Sequence, residues 1–152
     1  MSSVNFWLKM KTKNFRHVGI VTTNLKNSLN FYKNYLGLEI IKTAKENSKL
    51  MKNILNLKKC NLTTVKLGYN KKIFLELLYF KGLKQKKRDT KIFSNGLTHF
   101  SITVKNLDKL YIALKKNNIK FLSKPAMSYD NKVKLVFCKS PENIFIELVE
   151  VK

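Results

Sequence analysis

The chain has little cysteine, histidine or arginine and no long apolar run, and each shortage narrows what it can be. No stretch approaches the roughly 20 apolar residues that span a membrane. The two cysteines, Cys60 and Cys138, have no second cysteine or histidine at metal-ligand spacing, so two free thiols in a reducing cytoplasm are expected over a disulfide framework. Arginine occurs only at Arg16 and Arg88, against 29 lysines and a net charge of +22. Arginine is the residue that forks onto phosphate and reads bases. The lysines are also spread along every element instead of gathered into one stripe. The charge therefore reads as a solvated surface whose field attracts a small anionic substrate, and neither nucleic acid nor a membrane is expected as partner. Met1 to Asn14 carries five large apolar residues interrupted by lysines, too short a run for a secretory signal. It reads as an N-terminal arm, and the expected location is cytoplasmic.

What is present is a repeat. Arg16-His17-Val18-Gly19-Ile20-Val21 is followed by Asn24-Leu25 and an apolar run at helical spacing. Shifted by 82 positions, His17 falls on His99, Ile20 on Ile102, Asn24 on Asn106 and Leu25 on Leu107. The only two histidines of the chain thus occupy the same place in each copy. The copies also end alike: Phe74-Leu75-Glu76-Leu77-Leu78 matches Phe145-Ile146-Glu147-Leu148-Val149.

Each copy reads as a βαβββ module. In the first, residues 15–23 form a strand, and Leu25, Leu29, Tyr32 and Leu36 form a helix face capped by Asn24 and ended by Gly37. Strands follow at 38–43, 62–69 and 73–80, with a short helix or ordered loop over 46–57. In the second, strands are expected at 97–104, 119–122, 132–138 and 144–151, with a helix over 106–117. The organisation is an arm at 1–14, a first module at 15–80, a lysine-rich linker at 81–95 and a second module at 96–152. The fold class is α+β, with two tandem modules forming curved mixed sheets around a central cleft.

Strand alternation sorts the chemistry. Val18 and Ile20 face one way and His17, Gly19 and Val21 the other. Glu76 opposes Leu75 and Leu77, and Glu147 opposes Ile146 and Leu148. An acid inside such apolar strands is costly without a partner. Two imidazoles and two carboxylates on pseudo-equivalent strands make His17, Glu76, His99 and Glu147 candidate ligands of one divalent metal. The mixed N and O donors suit Zn, Ni, Co, Mn or Fe. Ser101 and Thr103 share the face of His99 and are candidate substrate contacts, as are Arg16 and Arg88.

These residues also carry a family likeness. His17 to Val21, Leu25, Ser28, Phe31-Tyr32, Leu36-Gly37-Leu38, Glu76-Leu77, His99 and the turn Ser140-Pro141-Glu142-Asn143 before Ile146-Glu147-Leu148 resemble the vicinal oxygen chelate superfamily. That family includes glyoxalase I, methylmalonyl-CoA epimerase, extradiol dioxygenases and the bleomycin resistance proteins. The likeness covers residues 15–151. The turn lacks the family's usual Asp and Gly. With glutamate at position 76 the ligand set is most similar to that of glyoxalase I. The resemblance implies a metal-dependent lyase or isomerase acting on a hemithioacetal or acyl-CoA through a metal-stabilised enediolate or enolate, with Glu147 or Glu76 moving the proton. It leaves open an Fe(II) extradiol-type dioxygenase using His17, His99 and Glu147, and a non-catalytic ligand-sequestering protein. It also allows a homodimer.

Overall fold

In the computed structural model, which describes residues 12–86 and 89–152, the chain builds two four-stranded sheets. The first contains β1 (Val18–Val21), β2 (Glu39–Glu46), β3 (Leu62–Tyr69) and β4 (Lys72–Phe80), in the order β1-β4-β3-β2. The second contains β5 (His99–Thr103), β6 (Ala126–Met127), β7 (Val133–Lys139) and β8 (Phe145–Val151), in the order β5-β8-β7-β6. In each sheet the first strand pairs parallel with the last, and the other pairings are antiparallel. The helices are α1 (Leu25–Leu29), which runs into a π-helix at Asn30–Tyr35, α2 (Lys49–Ile54) and α3 (Leu107–Lys116). This is the expected α+β pair of βαβββ modules. Most of the expected arm and Arg88 lie outside the described residues. Among the described residues no helix is long and apolar enough to cross a membrane.

Three elements differ in detail from the periodicity. The ladder of β1 is shorter than 15–23, so His17 stands just ahead of the strand. The first helix starts where Asn24 accepts a hydrogen bond from the Asn27 amide, as its cap position requires, but it widens after Leu29. There Leu36 N bonds to Phe31 O, the i→i+5 pattern of a π-turn. A wider turn brings consecutive residues closer to one face, and it lets Phe31 and Tyr32 both bury, their rings edge to face at 5.0 Å. In the second module the segment at 119–122 forms a single bridge, Phe121 to Cys138. The short β6 follows only after Pro125, which has no amide to donate.

One apolar core serves both modules. Ile20, Leu75, Leu77, Val65, Phe31 and Tyr32 of the first sheet and its helix join Ile102, Ile146, Leu148, Val136, Leu107 and Leu114 of the second. Both free cysteines are buried. The helix-bearing faces of the sheets therefore meet, and the opposite faces point outward.

The seam is closed by Glu142. The turn that presents it is tied by Ser140 Oγ, which accepts from the amides of Glu142 (3.2 Å) and Ile144 (3.3 Å). Asn143 takes the left-handed φ of 62°. Serine thus ties the turn and asparagine supplies its left-handed residue. From this turn the Glu142 carboxylate reaches the first module, accepting from the Tyr32 hydroxyl (3.0 Å) and from Ser28 Oγ, itself 2.6 Å from Thr22 Oγ1. Tyr32, Ser28 and Thr22 are buried, so this carboxylate satisfies hydroxyls that have no water to turn to.

Three outcomes follow from this packing. Glu142→Ala removes the carboxylate that accepts from the buried Tyr32 and Ser28 hydroxyls and should destabilise by about 1–3 kcal/mol in chemical denaturation. Gly68 sits at a register shift of β3, where an added Cβ would stand 1.8 Å from the Lys72 carbonyl oxygen. Gly68→Ala should therefore cost about 2–4 kcal/mol, read as a lowered thermal midpoint. Burial, reinforced by the Glu142 charge, raises the Tyr32 phenol well above its ordinary 10.0, and burial pushes the Cys138 thiol up to about 12. Both groups stay protonated in the fold when the unfolded chain ionises. Stability should hold below about pH 9, the ordinary thiol range, and fall as pH rises beyond it. In urea titrations across that range, Tyr32→Phe should flatten part of the fall above pH 10, the phenol's ordinary value.

Candidate metal centre

The alternation read from the strands is realised. Leu75 and Leu77 are fully buried on the core side, while Glu76 lies on the outward face. The same holds for Ile146 and Leu148 against Glu147. In the parallel ladder Gly19 stands opposite Glu76, and His17, two residues earlier, lies diagonally across from it. In the second sheet Ser101 stands opposite Glu147, and His99 is again two residues earlier. The two sheets thus carry the same His/Glu pattern at equivalent rows.

The halves differ in what surrounds the carboxylate. His17 Nε2 is 3.0 Å from Glu76 Oε2, with the glutamate 13 % and the histidine 26 % exposed. The other carboxylate oxygen of Glu76 faces Lys66 Nζ at 3.5 Å. Lys66 is the cross-strand neighbour of Glu76 on β3. In the second half the equivalent neighbour on β7 is Phe137, whose ring meets His99 edge to face at 5.3 Å. Thr98 Oγ1 lies 3.1 Å from His99 Nδ1. Glu147 makes no ion pair among the described residues.

A metal fits the first half in donor chemistry and spacing. With bonds of about 2.1 Å, neighbouring donors around one divalent ion would stand about 3.0–3.4 Å apart. The separation of His17 Nε2 and Glu76 Oε2 matches that, and it equally serves a hydrogen bond in the metal-free pair. A single chain goes no further. Among the described residues no group of three or more His, Cys, Asp or Glu side chains gathers to hold an ion. His17, Glu76, His99 and Glu147, the four expected ligands, thus form no such group among the described residues.

The candidate substrate residues are dispersed. Ser101 and Thr103 are exposed on the face of His99, and Ser101 Oγ reaches the Glu147 carbonyl only at 3.5 Å. Arg16 is exposed one residue before His17. Sequence reading missed Lys66. Nothing in a chain with 29 lysines marks one of them, and only the β3–β4 register places it against Glu76.

Comparison with known proteins agrees with this architecture. The model of the Glyoxalase/Bleomycin resistance protein/Dioxygenase superfamily matches residues 14–148. No curated protein matches the sequence. A glyoxalase family protein from Bacillus cereus has a similar structure, with a TM-score of 0.83 at 20% identity, over 94% of this chain and 97% of the other. The glyoxalase I of Leishmania major aligns with a TM-score of 0.66 at 21% identity, over 91% and 87%. A glyoxalase I variant from Zea mays aligns with a TM-score of 0.69 at 20% identity, over 97% of this chain and 48% of the other. At these identities the likeness is one of fold, and the family match extends it to descent. The chain belongs to the glyoxalase, bleomycin resistance protein and dioxygenase superfamily.

Proposed function

We propose that the protein is a divalent-metal-dependent lyase or isomerase of the glyoxalase type, whose site is assembled from two copies of the chain. The observation that carries this reading is the repeated His/Glu pattern on the outward faces of both sheets. One copy would offer His17 and Glu76, the other His99 and Glu147. The outward faces also hold apolar side chains that a second copy would cover, among them Val21 (49 % exposed) and Val151 (63 %). The strands β1, which follows His17, and β5, which bears His99, are edge strands with one side unpaired among the described residues.

A bound divalent ion would chelate two neighbouring substrate oxygens and stabilise the negative charge that develops on them. The remaining work falls to the chain. Both oxygens of Glu76 are engaged, by His17 and Lys66, so this carboxylate is suited to holding a position. Among the described residues the Glu147 carboxylate makes no ion pair; it lies beside Phe137, where it can take a proton from the carbon next to the substrate carbonyl and return it to the adjacent carbon. Phe137 and His99, packed edge to face, would flank that transfer on one side.

Two experiments test the reading. Metal analysis of protein purified without chelators should find one divalent ion per chain. Glu147→Gln should lower turnover of a hemithioacetal or acyl-CoA substrate by about 10²–10⁴-fold while the fold is kept, and the parent activity should persist under nitrogen. A complementation test addresses the assembly. One variant carries His17→Ala with Glu76→Ala, the other His99→Ala with Glu147→Ala. Each alone should be inactive, and mixing them should restore one working site per heterodimer. No recovery in a verified heterodimer would show that the four ligands do not meet between copies.

A further inference from the structure

Across the outward face of the first sheet, one row reads Lys42, Lys66, Glu76, Gly19 on β2, β3, β4 and β1. The equivalent row of the second sheet reads Phe137, Glu147, Ser101 on β7, β8 and β5. The two half-sites are therefore unlike in one respect: only the first sets lysine beside its glutamate.

Two observations give that lysine a task. Lys42 stands directly opposite Lys66, where a register shift in β2 places it, and like charges in that position repel. The row holds one carboxylate, Glu76, for both. Among the described residues Lys42 makes no ion pair, and Lys66 pairs with Glu76 alone. That contact is also slack. At 3.5 Å it exceeds the about 2.8 Å of a charge-assisted hydrogen bond, whereas the imidazole of His17 holds the other oxygen at 3.0 Å. The row thus has more positive charge than it can satisfy, at the edge of the His17–Glu76 pair, on a side chain long enough to swing.

We infer that Lys66, backed by Lys42, selects substrates that carry a second negative group beside their two chelating oxygens. The inference rests on the metal-site reading above and names the substrate class of that site. Coordination would occupy the Glu76 oxygens, release the ammonium of Lys66 from its loose contact, and leave it facing the incoming ligand. Phe137 opposite Glu147 supplies no such charge. A substrate would accordingly lie with its anionic end over the first half-site and its uncharged end over the second.

Glycolate and tartronate test this. Both chelate a metal through a hydroxyl and a neighbouring carboxylate, and tartronate has one further carboxylate. Binding is followed in the cobalt-loaded protein by the visible spectrum of the ion, which reports ligand exchange without turnover. Wild type should bind tartronate tighter than glycolate by about tenfold. Lys66→Met should erase that preference, and retained cobalt binding with a spectral response to glycolate shows that the site is still folded. Lys66→Arg should keep the preference, because it keeps the charge. A preference that survives in Lys66→Met, or is lost as fully in Lys66→Arg, overturns the inference while leaving the metal site standing. Absence of cobalt binding, or of any spectral response to either chelator, overturns the metal-site reading and this inference with it.

Discussion

Everything else in this structure depends on the helix-side core that the two modules share. A βαβββ module has one sheet face covered by its own helix, and neither module is large enough to make much of a core alone. Joining the two covered faces yields one continuous cluster, with Phe31, Tyr32, Leu107 and Leu114 from the helices between residues of both sheets. Strand alternation then leaves no freedom for the other face. If Leu75 and Leu77 point inward, Glu76 must point outward, and Ile146 and Leu148 impose the same on Glu147.

The polar device at the seam follows from the same arrangement. The π-turn after Leu29 buries two adjacent aromatics, and burial of Tyr32 brings its hydroxyl into a place without water. Glu142 meets it from the other module, on a turn tied by Ser140 and bent at Asn143. A carboxylate here is therefore structural, while the two carboxylates of the outward faces are not consumed by the core. That division leaves Glu76 and Glu147 outside the core in a chain with only nine acidic residues.

Much of the fold was legible beforehand because it depends on local pattern. The internal repeat located both modules, Asn24 and Gly37 marked the ends of the first helix segment, and alternation assigned His17, Glu76, His99 and Glu147 to one kind of face. The parts that were not legible depend on partners distant in sequence. Lys66 and Phe137 acquire meaning only from the registers that set them against Glu76 and Glu147. The π-turn depends on two aromatics competing for one core. The short β6 depends on Pro125 interrupting a segment that otherwise reads as strand.

By itself the sequence determined the residue types of the site and the face that carries them, because side-chain direction along a strand is a matter of counting by two. Tertiary structure alone decided how those faces are disposed. Burying both helix-bearing faces in one core leaves both His/Glu faces outside it, and among the described residues the four candidates form no cluster of three or more.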